Sequence, residues 1–228
     1  EQLDATGAKA VAICLLHSYA NAAHEERLRD LLQAARPDLV VSISSEVSPE
    51  AREFDRLCTT VANAYIQPMM ARYLDAFAEL FVKEGLKCPI LMMTAGGGMT
   101  TLRTAGQFPI RLVESGPAGG AILAARIAAE NRLDEVLSFD MGGTTAKLCL
   151  IDKAQPQNAR QFEIGRAARF IKGSGMPVRI PVIEMIEIGA GGGSIAAVDR
   201  LGRLTVSPRS AGSQPGPGGD RPGPSVEP

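Results

Sequence analysis

The 228-residue chain has no tryptophan, and aromatic residues make up only 4% of it. Surfaces that stack sugars or single-stranded bases need such rings, so those ligand classes are disfavoured. Neither sign of charge is in excess: 24 Lys plus Arg stand against 25 Asp plus Glu, a net charge of -1. No long-range field therefore draws the chain to nucleic acid or to an acidic membrane, and neither is expected as a partner. No apolar run approaches the ~18 residues of a membrane span, and no basic segment opens the chain as in a signal peptide. The two histidines, His17 and His24, have no third partner at ligand spacing and read as a loop residue and a helix-start residue. The four cysteines, Cys14, Cys58, Cys88 and Cys149, lack C-x-x-C spacing and read as reduced core residues of a cytoplasmic protein. No Gly-Lys dipeptide occurs, which excludes a P-loop of the G-x-x-x-x-G-K type, and no G-x-G-x-x-G opens a helix.

What is present is an ordinary globular composition, 45% hydrophobic and 21% charged, enough for one large or two small domains. The chain is organised around residues 138–152, which read as strand, glycine turn, strand. Residues 136–139 and 148–151 are short apolar runs, and between them Gly142 and Gly143 allow positive φ and leave backbone N–H groups uncovered. Such a tip can hold a phosphate. Asp140 would stand beside it as acceptor for a metal-bound water, and Thr144 and Thr145 would add hydroxyl donors. An ordinary tight turn with Asp140 as turn former is the alternative reading.

Toward the N-terminus, residues 11–16 and 39–43 read as strands flanking a helix with Asn21 as N-cap, Glu25 and Glu26 in its first turn and Leu28, Leu31, Leu32 and Ala35 as its apolar stripe. This β-α-β order predicts a parallel or mixed sheet. Ser48-Pro49-Glu50 reads as a helix start, with the charged cluster Arg52, Glu53 and Arg56 on a solvated face or, as the alternative, at a lobe contact. The stripe Phe54, Leu57, Cys58, Val61, Tyr65, Met69, Tyr73, Leu74, Phe77, Leu80 and Phe81 is expected to be core, with Pro68 kinking or splitting the helix. Strands are expected at 90–93 and 110–113, with a glycine loop at 95–98 between them. The stretch 115–120, containing Ser115 and Gly116, reads as a loop leading into a helix over 121–130, whose free N–H groups suit an anion or simply a close packing turn. Further strands are expected at 162–170 and 182–188, joined by a loop at 172–177. Three consecutive glycines, Gly191, Gly192 and Gly193, are entropically costly and mark a backbone that something approaches closely. A hairpin turning at Gly202 and an irregular Pro/Gly-rich tail over 208–228 complete the chain.

The strand-turn-strand loop Asp-Met-Gly-Gly-Thr-Thr resembles that of the superfamily that includes actin, sugar kinases and heat-shock chaperones. The order of signals as a whole resembles the hydantoinase A / 5-oxoprolinase family. The stretches that carry this are His17-Ser18-Tyr19-Ala20-Asn21 with His24-Glu25, Arg52-Glu53 with Arg56 and Thr59, Asn63-Ala64-Tyr65, Ser115-Gly116-Pro117-Ala118, Asp140-Met141-Gly142-Gly143-Thr144, the run from Gly189 to Ser194, and Pro208-Arg209-Ser210-Ala211-Gly212.

The resemblance implies an α/β fold of the actin-like ATPase (ribonuclease H-like) type, a mixed sheet with helices on its faces, part of a two-lobed fold. It implies residues 1–85 as the end of an N-terminal domain, 86–207 as a central hydantoinase A domain and 208–228 as a tail. The implied chemistry is an ATP-dependent hydrolase that opens a cyclic amide of 5-oxoproline or hydantoin type through phosphorylation of the amide oxygen. A subunit of an ATP-dependent ketone carboxylase, or a non-catalytic nucleotide-binding remnant, is the alternative. The cofactors implied are ATP with Mg2+ or another divalent metal, and the partner a hydantoinase B-type subunit or domain. Asp140 would be catalytic; Gly142, Gly143, Thr144, Thr145, Ser115, Gly116, Gly191, Gly192 and Gly193 would bind nucleotide or phosphate; Asp140 and Glu184 are the metal candidates.

Three departures from the family pattern stand out. The usual earlier Asp-x-Gly-Gly-Thr loop is not in this sequence, which suggests a fragment; Glu184-Met185-Ile186 replaces Asp-x-His before the triple glycine; and Pro215-Gly216-Pro217-Gly218-Gly219 replaces Pro-Gly-Pro-Ala-Cys.

Overall fold

In the computed structural model, which describes residues 2–167, 171, 173–214, 216 and 217, the expected β-α-β order is present. After α1 (Gln2–Ala5), strands β1 (Ala10–Ile13) and β2 (Val40–Ile43) pair in parallel, Ala10 opposite Val40 and Ile13 opposite Ile43, with α2 (Ala23–Ala35) as the crossover. The N-cap of α2 is Ala22; Asn21 Oδ1 nevertheless accepts from the Ala23 N–H at 3.0 Å. Leu28 and Leu31 of the α2 stripe are exposed, and it is Glu25 that is buried.

The helix start expected at residues 48–50 lies elsewhere. A short α3 (Ser44–Val47) ends at Ser48, and α4 (Glu53–Lys83) begins after an extended Arg52. Pro68 lies inside α4 without ending it. The donor it lacks is offset by packing on both sides, since Ala62, Asn63 and Ala64 before it and Leu74 after it are buried. Two expectations about this helix are reversed. Arg56 is fully buried rather than solvated, and most of the apolar stripe faces outward, Phe54 being 68% and Tyr65 84% exposed. The inward face meets carbonyls and loop backbone, so polar and small side chains occupy it. Arg56 donates to the Glu50 and Leu15 carbonyls at 2.6 and 2.7 Å, Thr59 Oγ1 accepts from the Arg179 N–H at 2.9 Å, and Asn63 bridges the Gln107 carbonyl and the Ile110 N–H.

Strands β3 (Leu91–Met93) and β4 (Met99–Thr101) form a hairpin around the glycine loop, in which Gly97 has φ +81. Then comes α5 (Leu102–Gln107), which the sequence reading did not expect, capped by Thr101 Oγ1 accepting from the Thr104 N–H at 3.2 Å. The strand expected at 110–113 is a 3-10 turn (Pro109–Leu112), because Pro109 presets a helical φ and Asn63 Oδ1 takes the Ile110 N–H. Helix α6 (Ser115–Glu130) starts at Ser115, so the expected loop at 115–120 is already helical.

Strands β5 (Glu135–Met141), β6 (Ala146–Asp152) and β7 (Gln155–Pro156) follow, then β8 (Asn158–Ala159), β9 (Phe162–Ile164) and β10 (Met176–Val178). The apolar run 182–188 divides into β11 (Val182–Ile183) and β12 (Ile186–Ile188), and the hairpin β13 (Ser194–Val198) and β14 (Leu204–Ser210) turns at Gly202, φ +78. Residues 168–170 of the strand expected at 162–170, Lys172 of the expected loop, and 215 and 218–228 of the expected tail lie outside the described residues.

Two compact units result, one of residues 1–119 and 158–183 and one of 120–157 and 184–228. The segments expected from sequence run consecutively, whereas these units interleave. The first unit has its core around Val47, Ala62, Ile110, Val178, Ile180 and Val182. The second is built on the antiparallel order β12-β6-β5, with β7 beside β6. Leu137, Phe139, Leu150 and Ile186 share one face of that sheet and are exposed, while Cys149 and Ile151 on the other face are buried. Of the cysteines expected in the core, Cys58 and Cys149 are buried, Cys14 is half-buried and Cys88 is exposed; all are free thiols. Among the described residues no helix is long and apolar enough to cross a membrane.

Candidate functional site

The second unit brings the two glycine motifs together. Strands β5 and β6 pair from Glu135 opposite Asp152 to Met141 opposite Ala146, and the Gly142 N–H donates to the Thr145 carbonyl at 2.9 Å to close the tip. Positive φ is found at neither Gly142 nor Gly143, so turn geometry does not account for the pair. Crowding at the pair itself does not either, since a Cβ on Gly142 would meet only the Thr145 carbonyl oxygen at 3.6 Å and one on Gly143 nothing within 4 Å; close approach explains Gly191 instead. A Cβ on Gly191 would lie 2.5 Å from the carbonyl carbon and oxygen of Gly143 and from the Thr144 nitrogen, and the Gly192 N–H donates to the Gly142 carbonyl at 2.9 Å. The triple glycine is therefore a platform on which the hairpin tip rests backbone to backbone.

Hydrogen bonds hold that platform. The Gly191 N–H donates to Ser194 Oγ at 3.0 Å, Ser194 and Ser207 hydroxyls are 3.2 Å apart, and Ser207 Oγ donates to the Gly189 carbonyl at 3.1 Å. Because the Ser207 proton goes to Gly189, Ser194 is the donor between the two hydroxyls. Ser210 Oγ and the Ala211 N–H both donate to the Gly193 carbonyl, at 2.9 and 2.7 Å. Ser207 and Ser210 were not singled out as functional in the sequence; the resemblance of residues 208–212 was the available signal for Ser210.

An account of N–H groups narrows the candidate phosphate ligands. Those of Gly142, Gly191 and Gly192 are engaged within the protein. Among the described residues, those of Gly143, Thr144 and Gly193 donate to no protein acceptor, and Gly143 and Thr144 are exposed. Thr145 is half-buried. Asp140 is exposed one residue before the end of β5 and opposite Lys147, which on its other side is opposite Glu187 of β12. Directly paired residues project to the same sheet face, so Asp140, Lys147 and Glu187 form a row there. Glu184, expected to face the site, precedes β12, and its N–H donates to the Gln157 carbonyl at 2.8 Å. Ser115 and Gly116 open α6 and belong to the first unit.

Among the described residues no three His, Cys, Asp or Glu side chains converge as a metal cage. Mg2+ held through waters and nucleotide phosphates needs no such cage, and Asp140 is an exposed carboxylate beside the hairpin tip. Burial pushes the Cys149 thiol up, partly offset by the Gln157 backbone and reinforced by the Glu184 charge, so it is not a nucleophile at neutral pH.

The sequence of an uncharacterized protein of Methanocaldococcus jannaschii is 40% identical over 220 residues, covering 93% of this chain and 32% of the relative. The crystal structure of an ATP-dependent caprolactamase from Pseudomonas jessenii superposes with a TM-score of 0.69 at 32% identity, over 94% of this chain and 30% of that one. A nucleotide-free acetone carboxylase, described in connection with ATP-dependent acetone carboxylation, gives a TM-score of 0.71 at 26% identity over 92% and 29%. The chain thus spans about a third of the length of these relatives. The family model described as Hydantoinase/oxoprolinase matches residues 56–225, most of the chain, and the chain belongs to that family.

Proposed function

We propose that this chain is part of an ATP-dependent enzyme of actin-like ATPase fold that opens a cyclic amide, of 5-oxoproline or hydantoin type, by phosphorylating the amide oxygen. The observation that carries the reading is the pinned hairpin tip, where the adjacent Gly143 and Thr144 N–H groups are uncovered and held from behind by Gly191. Adjacent backbone donors fixed in place stabilise phosphate charge without reorganisation. The similarity to an ATP-dependent caprolactamase supports a cyclic amide as substrate. Phosphorylation of the amide oxygen makes the carbonyl carbon electrophilic enough for water to attack. The adduct expels the ring nitrogen, which breaks the C–N bond, and a second water hydrolyses the resulting acyl phosphate to carboxylate and phosphate; the protein's part is to position phosphates and hold charge. Gly143, Thr144 and Gly193 donate to phosphate oxygens, and Asp140 orients the water shell of the divalent cation. Mg2+, when bound, neutralises phosphate charge. Lys147 in the same row adds positive charge beside Asp140. A hydantoinase B-type subunit is the partner this reading implies.

The test uses the full-length protein that carries this chain. Phosphate release from MgATP is measured with 5-oxoproline, hydantoin or caprolactam, and separately with acetone plus bicarbonate. Release stimulated by a cyclic amide is expected. Release stimulated only by the ketone would make the protein a carboxylase subunit, and release with none of them would overturn the enzymatic reading.

A further inference from the structure

The glycine loop between β3 and β4 takes no part in the nucleotide reading, yet it walls a cleft of about 610 Å³ contained wholly in the first unit. That size is in the range of small-molecule sites. Its other walls are residues 48–50, residues 179–181 and the side chain of Arg111. The walls are tied together. The Ala95 N–H donates to the Arg111 carbonyl at 2.8 Å, the Ile183 N–H donates to the Ala95 carbonyl at 2.9 Å, and a Cβ on Gly96 would meet the Pro181 carbonyl oxygen at 3.3 Å. Gly96 thus lets the segment that carries Arg179 approach closely, since a Cβ there would have to push it back by a few tenths of an ångström.

The two arginines of the cleft differ in their partners. Arg179 is ion-paired with both Glu50 and Asp55, so its charge is compensated. Arg111 lies over the Phe108 ring with its guanidinium carbon 4.6 Å from the centroid, and its side chain donates from Nη2 to the Glu46 carbonyl at 3.3 Å. Among the described residues no carboxylate pairs with it. Burial also draws its affinity for the proton below that of an ordinary arginine, the mark of a guanidinium short of solvent and counter-charge. The remaining N–H groups form a planar fork that matches a carboxylate. Around it the cleft offers the hydroxyl-bearing Ser48, Thr94 and Thr100 and the apolar Met99 and Ile180.

We propose that this cleft is a binding site for a small monocarboxylate with an uncharged polar body, whose carboxylate is held by Arg111. Among the described residues Arg111 is the one guanidinium of the cleft without a carboxylate partner and offers a single fork, which fits one carboxylate, while the second carboxylate on Arg179 disfavours a dianion. The hydroxyls accommodate the polar body and the apolar wall its carbon skeleton. This inference rests on residues of the first unit alone and stands apart from the nucleotide reading.

The experiment is calorimetric titration of the full-length protein that carries this chain, without nucleotide, with N-acetylglycine and, as the uncharged counterpart of nearly equal shape, N-acetylglycinamide. N-acetylglycine should bind at least tenfold more tightly than the amide, and Arg111→Gln should remove that advantage while Arg111→Lys keeps part of it. Equal affinity for both compounds, no binding of either, or an unchanged Arg111→Gln variant would overturn the proposal. Tighter binding of inorganic phosphate than of N-acetylglycine would also overturn the assignment to carboxylate. Because Arg111 also holds the Glu46 carbonyl, its variants could misfold, so the unsubstituted chain supplies a second readout. The 15N resonance of the Arg111 Nε–H should shift on addition of N-acetylglycine and stay in place with the amide; no shift with either refutes the site.

Discussion

Gly191→Ala separates a glycine platform from an accidental run of glycines. The new Cβ would stand 2.5 Å from three backbone atoms of residues 143 and 144, and backbone cannot rotate away as a side-chain end can. Ordinary contact begins at 3.4 Å, so the two loops must part by about 0.9 Å, the difference between those two distances. Such overpacking costs about 1–3 kcal/mol. A parting of that size would stretch the Gly192 to Gly142 hydrogen bond, now 2.9 Å, past its useful range, losing about 0.5–1.5 kcal/mol more. The free N–H groups of Gly143 and Thr144 move with the displaced peptide. If both lose phosphate at about 1.5–3 kcal/mol each, MgATP affinity falls by about two to four decades. The assays are a thermal melt, hydrogen exchange at the Gly192 amide and calorimetric titration with MgATP. Gly143→Ala is the control, because a Cβ there meets nothing within 4 Å and should leave the melt nearly unchanged. A Gly191→Ala protein that melts like its parent, with the Gly192 amide equally protected, would refute the packing argument. Normal stability loss with unchanged MgATP affinity would refute the role of the tip in phosphate binding.

Two further predictions concern the buried polar network of the first unit. Arg56→Leu should destabilise by about 3–5 kcal/mol in urea titration, because it strands the Leu15 and Glu50 carbonyls and removes the Nε–H that donates to Ser44 Oγ at 3.0 Å; a loss under about 1 kcal/mol would mean that water replaces the guanidinium. Burial raises the Glu25 carboxyl, but donation from Ser44 Oγ and the Leu15 and Ser45 N–H groups outweighs it and holds the group below its usual 4.5. A depressed folded value contributes stability that is present above the unfolded value and lost as pH falls through the folded one. The urea midpoint should therefore drop with acidification below about pH 4.5, and Glu25→Gln should lower the midpoint at pH 7 while flattening that acid dependence. An unaltered acid slope in the variant would assign the titration to other groups.

The sequence alone determined the local periodicities and the motif order. The short apolar runs 136–139 and 148–151 with glycines between them read as a hairpin, and the β-α-β order of residues 11–43 as a parallel or mixed sheet; both are found. The family resemblance was legible for the same reason, since its motifs are local strings. Only the tertiary structure decided which faces turn inward. The apolar stripe of α4 satisfied helical spacing yet faces outward, because the opposite face must satisfy carbonyls of residues 15 and 50 and the Ile110 N–H, partners far away in sequence. Arg56 read as a surface charge for the same reason, and Glu25 only as a first-turn carboxylate of its helix. Ser44 Oγ, which donates to Glu25 and accepts from Arg56, joins them only once β2, α2 and α4 have met. At the candidate site the sequence marked both glycine motifs but could not bring them together. Gly142 and Gly191 are separated by a whole strand segment that belongs to the first unit, and a glycine selected for close approach has no local signature to distinguish it from a glycine in a turn.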